Sequence, residues 1–276
     1  MKLTAETGSQ ASKAKAFVKL HEQGIFISPN PWDVGSARLL EGLGFPALAT
    51  TSSGFALTLG RADGEVTRDE KMTHCAALTA ATSIPVSADL ENGFGDSPQA
   101  VVQTIEAAVQ AGLAGGSIED FTGDKSAPLY SSELAVERIA AAAETIRRLG
   151  VSFVLTARAE QMLRAKPDLD ATIRRLQAFE KAGADVLYAP GLKRLDEVAT
   201  VLAEVSLPVN VLMSGLPGAS VGQLAELGVR RISTGGSLAY AALRPLLDAG
   251  REMIGDGGFN WLSDIANGSD VKKLLG

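Results

Sequence analysis

Eight short apolar runs punctuate this chain, spaced so that one helix fits between each neighbouring pair. They are GIFISP (24–29), PALATT (46–51), IPVSADL (84–90), GGSIED (115–120), VSFVLTAR (151–158), ADVLYAP (184–190), LPVNVLM (207–213) and VRRISTG (229–235). Runs of this length, rich in β-branched residues and bounded by Gly, Pro and Asp, read as buried strands. The segments between them carry helical period. In SPQAVVQTIEAAVQAG (97–112), Ser97 can cap the helix and Pro98 suits its first position. In DLDATIRRLQAFEKAG (168–183), Gly183 marks the stop. Strand–helix alternation repeated eight times predicts an α/β protein whose parallel sheet closes into a (β/α)8, TIM-type barrel. The competing open, doubly wound sheet would carry a glycine-rich dinucleotide turn after its first strand, where this chain has SPNPWD.

No Pro-, Gly- or Ser-rich linker divides the 276 residues, so one barrel domain spanning 1–276 is expected. SLAYAALRPLLDAGREMI (237–254) reads as the eighth helix. With the tail after it (237–276), this segment carries Leu243, Leu246, Leu247, Met253, Phe259 and Trp261. That is more apolar surface than one barrel face needs, which places the segment at an oligomer interface. A net charge of −6 without a basic run argues against general nucleic-acid binding. The absence of an 18-residue apolar run or a signal peptide, and a single cysteine, point to a cytoplasmic protein without a membrane partner.

In such a barrel the active site lies at the C-terminal strand ends. Those ends carry Asn30 and Asp33, TTSSG (50–54), Asp89 and Glu91, Glu119 and Asp120, Arg158 and Glu160, Tyr188, Asn210 and Ser214, and STGGS (233–237). Alternation along a strand sets Ser87, Asp89 and Glu91 opposite Val86, Ala88 and Leu90, and sets Thr156, Arg158 and Glu160 opposite Phe153, Leu155 and Ala157. The polar sets should face the barrel axis, joined by Glu119. Three carboxylates (Asp89, Glu91, Glu119) would then converge, and either their pKa values rise or a cation neutralises them. Oxygen-only donors suit Mg²⁺, or Mn²⁺, better than Zn²⁺.

Other residues receive plainer readings. His21 and His74 lie in helical segments and are expected at the surface or an interface. Cys75, within 69–82, is expected to be a buried filler, and Trp32 and Trp261 to be packing residues. STGGS looks like the phosphate-binding turn of many barrels, but shaping the pocket floor and starting the eighth helix is the simpler role.

The stretches NPWDVGSARLLEGLGFPALATTSSGFALTLGRADGEVTRDE (30–70), ADLENGFG (88–95), SIED (117–120) and LTARAE (155–160) occur in order, each reaching a strand end. Through them the chain resembles the isocitrate lyase / phosphoenolpyruvate mutase superfamily over nearly its whole length. The resemblance implies a barrel with a swapped eighth helix, assembled as a dimer of dimers (a homotetramer), that uses Mg²⁺ to hold a small dianionic α-keto acid. Residue by residue it implies Asp89 as the direct metal ligand, Glu91 and Glu119 holding the metal's waters, and Asp63 supporting that shell. Ser53 and Gly54 would bind the substrate carboxylate, Asn210 would be a further substrate contact, and Arg158 would grip the carboxylate or keto oxygen. Tyr188 is a candidate acid by position alone. Glu91 stands where the family usually has Asp.

One departure narrows the reaction. The branches that cleave isocitrate or methylisocitrate carry a Lys-Lys-Cys-Gly-His loop after the fourth strand, whereas this chain reads EDFTGDKSAPLYSSE (119–133). Mutase and phosphonopyruvate-hydrolase members place Lys and Asn there, and Lys125 is only a loose match. The expectation is therefore a Mg²⁺-dependent lyase or hydrolase that cleaves a C–C bond in an oxaloacetate-like acid through an enolpyruvate-type intermediate, with 121–133 as its gating loop. A phosphonate-processing mutase of the carboxyphosphonoenolpyruvate type and a non-catalytic metabolite-binding barrel are the alternatives.

Overall fold

A computed structural model describes residues 9–276. Its strands are β1 (Phe26–Ser28), β2 (Leu48–Ala49), β3 (Val86–Asp89), β4 (Gly115–Glu119), β5 (Val154–Arg158), β6 (Val186–Tyr188), β7 (Val209–Leu212) and β8 (Arg231–Ser233). They form one parallel sheet in the order β1-β8-β7-β6-β5-β4-β3-β2. The seam between its edges is drawn together where the Ala49 N–H donates to the Pro29 carbonyl at 3.0 Å. The result is the nearly closed (β/α)8 barrel that the alternation predicts.

The helices follow the strands. On the first half lie α1 (Gln10–Leu20), α2 (Val34–Gly42), α3 (Ser52–Thr58), α4 (Arg68–Ala81), α5 (Pro98–Gln110) and α6 (Ser132–Leu149). On the second lie α7 (Gln161–Arg164), α8 (Leu169–Lys181), α9 (Leu195–Glu204), α10 (Val221–Leu227), α11 (Ser237–Gly255) and α12 (Gly268–Leu275). Ser97 caps α5 by accepting the Ala100 N–H at 3.2 Å, and Pro98 opens the helix as expected. Val101, Ile105 and Ala108 of α5 are buried at helical spacing. They join Leu90, Ile118, Ile139 and Leu155 in the main core between strands and helices.

A second, smaller core closes the opposite end of the barrel. Ala14 and Phe17 of α1 pack with Phe26, Ala47, Ala114, Val154 and Val186, residues at or just before the starts of five strands. α1 therefore plugs the bottom, and among the described residues the strand C-termini form the mouth that this packing leaves open. His21 belongs to the plug. It is 7% exposed, edge-on to Phe17 and Phe26. His74 is buried too, stacked on Phe55 at 3.9 Å between ring centroids, with its Nε2 3.0 Å from the Trp32 carbonyl. The surface or interface reading of both histidines is thus corrected: each is a core residue, and burial pushes their pKa values down to about 3 and about 4. Cys75 is the buried filler expected, with its thiol pushed up to about 11 by burial. No helix among the described residues is long and apolar enough to cross a membrane.

Candidate active site

The strand ends enclose two neighbouring spaces. A small cavity of about 50 Å³ lies inside the mouth and is lined by Ser87, Asp89, Ser117, Arg158, Tyr188 and Asn210, with other residues. Above it a broad cavity of about 1060 Å³ opens between the loops, where Asp63, Glu91, Glu119, Lys125, Arg158 and Arg164 contribute to the wall. Arg158 borders both spaces. The inward parity read from β3, β4 and β5 is what brings Asp89, Glu119 and Arg158 together. Nη1 of Arg158 lies 3.2 Å from Glu119 Oε2 and 3.6 Å from Asp89 Oδ1, while its Nε donates to Glu160.

Charge is divided unevenly among the acids. Burial drives the Asp89 pKa upward, but Arg158, Lys71 and the N–H groups of Glu91 and Ser52 hold it, on balance, below the ordinary carboxylate value. Asp89 is the standing anion of the site. Glu119 is raised well above its ordinary value by burial, with Glu160 and Asp89 adding to the effect and Arg158 opposing it. Glu91 is pushed up to about 7, first by burial and then by Asp89.

Glu91 reaches the cavity by a route that alternation does not describe. β3 ends at Asp89, and Glu91 has φ of 50°, followed by Gly93 at 80° and Phe94 at 57°. Two non-glycine residues in the left-handed region within four positions mark a strained turn, the kind that accumulates at functional sites. The Glu91 N–H donates to Asp89 Oδ1 at 3.2 Å, and its carbonyl accepts the Glu119 N–H at 2.9 Å. The turn is clamped from behind by Arg138 of α6, which donates to the carbonyls of Gly95 (2.7 Å), Asp96 and Asn92 and lies over the Tyr130 ring.

Several strand-end residues serve structure. Asp33 caps α2 by accepting the Ser36 N–H at 2.7 Å. Asp120 accepts the Glu160 N–H at 2.7 Å and pairs with Arg175 at 3.0 Å. Glu160, fully buried, is shared between Arg158 and Arg164. Ser214 lies in a short 3₁₀ turn and lines neither cavity. In STGGS the N–H groups of Thr234 and Gly235 are taken by Asn30 Oδ1 at 2.8 and 2.9 Å, which favours the pocket-floor role over phosphate binding.

Thr51 caps α3 and accepts the Gly54 N–H at 3.3 Å, so that N–H is already engaged. A Cβ at position 54 would stand 2.5 Å from Thr51 Cγ2 and 3.1 Å from Trp32 Cβ, so Gly54 permits a close approach of α3 to the β1 loop. Ser53 Oγ lies 3.2 Å from Thr51 Oγ1, and it is Ser52 that faces the broad cavity. Its N–H points at Asp89 Oδ2 at 3.4 Å. Asn210 is held at both ends, donating to Ser233 Oγ at 2.9 Å and accepting from Arg231 at 2.9 Å. Tyr188 packs against Arg158, whose Cζ is 5.2 Å from the ring centroid, and burial raises its hydroxyl to about 12. Lys71 of α4 was not anticipated: fully buried, without a hydrogen-bond partner, it acts electrostatically on both Asp89 and Glu91.

No three or more His, Cys, Asp or Glu side chains among the described residues close into a metal cage. The donor set nevertheless suits a hard cation held by one carboxylate and its own waters: the donors are all oxygen, Asp89 stays charged, and buried Glu91 Oε1 has no partner. Asp63 stands at the rim, 43% exposed in its side chain and 3.9 Å from Arg164.

The raised Glu91 pKa gives a stability prediction. Its ordinary value is 4.5 and its folded value about 7, so its contribution to stability is complete below pH 4.5 and is lost as pH rises through 7. In chelator-treated protein, Glu91→Gln should therefore raise the melting temperature at pH 8 by a few degrees, roughly 1–2 kcal/mol. The gain should vanish near pH 4.5. A pH-independent difference between the two proteins would contradict the assignment.

A TIM-type barrel with acids and arginines gathered at the C-terminal ends of its strands is the class of protein that the fold and site define. The phosphoenolpyruvate phosphomutase family model matches residues 17–254, and the chain belongs to this family, within the isocitrate lyase / phosphoenolpyruvate mutase superfamily. A Burkholderia cenocepacia structure described provisionally as a lyase/mutase is 52% identical, with a TM-score of 0.91 over 96% of this chain and 95% of that one. An oxaloacetate decarboxylase of Ectopseudomonas mendocina is 31% identical over 244 residues, covering 86% of this chain and 82% of its own. Oxaloacetate acetylhydrolase in complex with the product oxalate superposes with a TM-score of 0.85 at 25% identity, over 97% and 95% of the two chains.

Proposed function

We propose that this protein is a divalent-metal-dependent lyase or hydrolase that cleaves a C–C bond in a small, dianionic, oxaloacetate-like α-keto acid. The observation that carries the reading is the pairing of a charged Asp89 with Arg158 at the boundary of the two cavities, 3.6 Å apart. Such a pair can hold a cation and an anionic substrate side by side. Asp89 would hold Mg²⁺ or Mn²⁺ directly, Glu91 and Glu119 would hold its waters, and Asp63 would support them from the rim. A cation held there would supply Lewis-acid stabilisation of the negative charge that develops as the C–C bond breaks.

The chain's own groups do the rest. Arg158 orients the carboxylate or keto oxygen with a charge that no working pH removes. Ser52, at the start of α3, lines the broad cavity and would offer its hydroxyl to the substrate carboxylate, the role the resemblance gave to Ser53. Tyr188 Oη keeps its proton at neutral pH and lines the inner cavity, so this reading assigns it the delivery of a proton to the departing carbon. The segment after β4 folds back on itself, with the Thr122 N–H on the Pro128 carbonyl at 2.9 Å, and exposes residues 123–127. Tyr130 anchors its base, donating to Asp96 at 2.6 Å and accepting from Asn92 at 3.0 Å. That geometry suits a flap that excludes water during turnover.

Lys125 on the cavity wall favours a second reading, in which a phosphonate is processed instead. Incubation with oxaloacetate, its alkylated relatives and phosphonopyruvate, with and without Mg²⁺, decides between them. Oxalate or pyruvate release from the carboxylic acids is expected. Turnover of the phosphonate alone would overturn the first reading.

The assembly is also proposed to be a homo-oligomer built on α11. Among its residues only Ala239 and Ala249 are buried, while Leu246 and Ile254 are 66% and 90% exposed. A second copy of the chain would cover this face, as the family resemblance implies. Light scattering should give a multiple of 28.6 kDa, and a stable species at 28.6 kDa itself would refute it.

A further inference from the structure

Outside the sheet, α6, α7 and α8 enclose a third cavity of about 310 Å³. Its wall is divided by chemistry. Val136 and Phe179 supply apolar surface, while Ser132, Gln161, Arg174 and Arg175 supply polar groups. None of these residues lines either space at the strand ends. In a chain of net charge −6, this wall carries two cations and, among the described residues, no carboxylate. Outside the wall, exposed Glu133 acts on Arg175 across solvent, where screening keeps the effect weak.

The two guanidinium groups differ in their commitments. Arg175 is tied inward, donating from Nη1 to Asp120 Oδ2 at 3.0 Å and from Nη2 to the Tyr130 carbonyl at 2.9 Å. Arg174 is exposed and forms no ion pair among the described residues. A guanidinium fork matches a carboxylate, and the apolar surface beside it suits a hydrocarbon body. At the ~30 Å³ that one water occupies in the liquid, the cavity admits roughly ten non-hydrogen atoms. That excludes a nucleotide and admits an aryl or branched acyl carboxylate.

The inward contacts of Arg175 lead to the catalytic mouth. Asp120 Oδ1 accepts the Glu160 N–H at 2.7 Å, and Glu160 holds Arg158. Tyr130 stands at the base of the segment that follows β4. An anion seated beside Arg175 shares its charge and so weakens its hold on both acceptors. We propose that the flank cavity is a regulatory binding site for a small carboxylate with a compact apolar body, whose occupancy loosens the Asp120 and Tyr130 anchors.

The probe is 4-bromobenzoate. In crystals of the wild-type protein grown with it, a bromine anomalous peak is expected between α6 and α8, with the carboxylate on Arg174. Calorimetric titration, with oxalate present to keep the probe from the strand-end cavities, should show one site per chain. Arg174→Ala should weaken that binding at least tenfold, the loss expected for one charge-assisted contact. Ala178→Leu, which narrows the cavity without changing charge, should weaken it too. 4-Bromobenzamide, of the same shape but uncharged, should bind at least tenfold more weakly than the acid. On saturation, hydrogen exchange across residues 119–131 should quicken several-fold in the wild type and stay unchanged in Arg174→Ala. Absence of binding at about 10 mM probe would overturn the proposal. So would a bromine peak confined to the strand ends, affinity indifferent to both variants, or saturation that leaves exchange unchanged. None of these readouts needs turnover, so they decide the matter whether or not the protein cleaves a keto acid.

Discussion

Asp89→Ala is expected to abolish metal binding and to lower turnover by at least about three orders of magnitude, while leaving the barrel folded. Losing a direct ligand forfeits the charge acceptance that metal-assisted cleavage depends on, worth several kcal/mol. The fold should tolerate the change because Asp89 raises the pKa values of both Glu91 and Glu119, so its removal relieves repulsion. Asp89→Asn separates shape from charge. It keeps an oxygen to accept the Glu91 N–H, now at 3.2 Å, yet removes the standing anion. Calorimetric titration with Mn²⁺ and kcat/KM for the preferred keto acid provide the two readouts. Undiminished activity of Asp89→Ala in the presence of chelator would remove the metal assignment.

Arg158→Lys should cost one to two decades in kcat/KM although the charge is retained. A guanidinium offers five donors in a planar fork and an ammonium offers three from a point. Losing one charge-assisted contact costs ~1.5–3 kcal/mol. The structure makes the demand on Arg158 heavier than substrate binding alone, because one side chain spans Glu119, Asp89 and Glu160. A lysine cannot span all three, although Glu160 keeps Arg164 at 3.2 Å. The melting temperature must therefore be measured beside the kinetics. A stable variant with impaired turnover of every keto acid supports the assignment. A destabilised variant with unchanged kcat/KM would make Arg158 a structural ion-pair partner.

The barrel was legible because eight apolar runs separated by helical segments admit few other topologies. The runs outlast the strands, as IPVSADL shows: hydrophobicity records burial, whereas the regular strand ends at Asp89. The same parity placed Asp89 and Arg158 correctly, and it reached Glu91 for the wrong reason, since a left-handed turn leaves no mark in an alternation pattern. What escaped were cations on apolar stripes. Lys71 shares its stripe with Cys75 and Leu78, and Arg138 shares one with Ala135, Ile139 and Ala142, at helical spacings. A charged residue in such a row is a legible signal, but its partner lies on another element and cannot be read locally. His21 was misplaced because a helix packed across the barrel floor has the same periodicity as one on its flank.

The apolar plug of α1 has a kinetic corollary. With Phe17 and its neighbours sealing the floor, the strand C-termini are the opening left among the described residues, and the reactant and products of the proposed cleavage would share it. Traffic is then sequential: the fragment left deeper in the barrel cannot escape past the one above it. For the proposed cleavage this would impose an order of departure, with the shallower fragment released first and the deeper one acting as a competitive product inhibitor. If the 121–133 segment closes over that opening as proposed, its opening would set the pace once chemistry is fast.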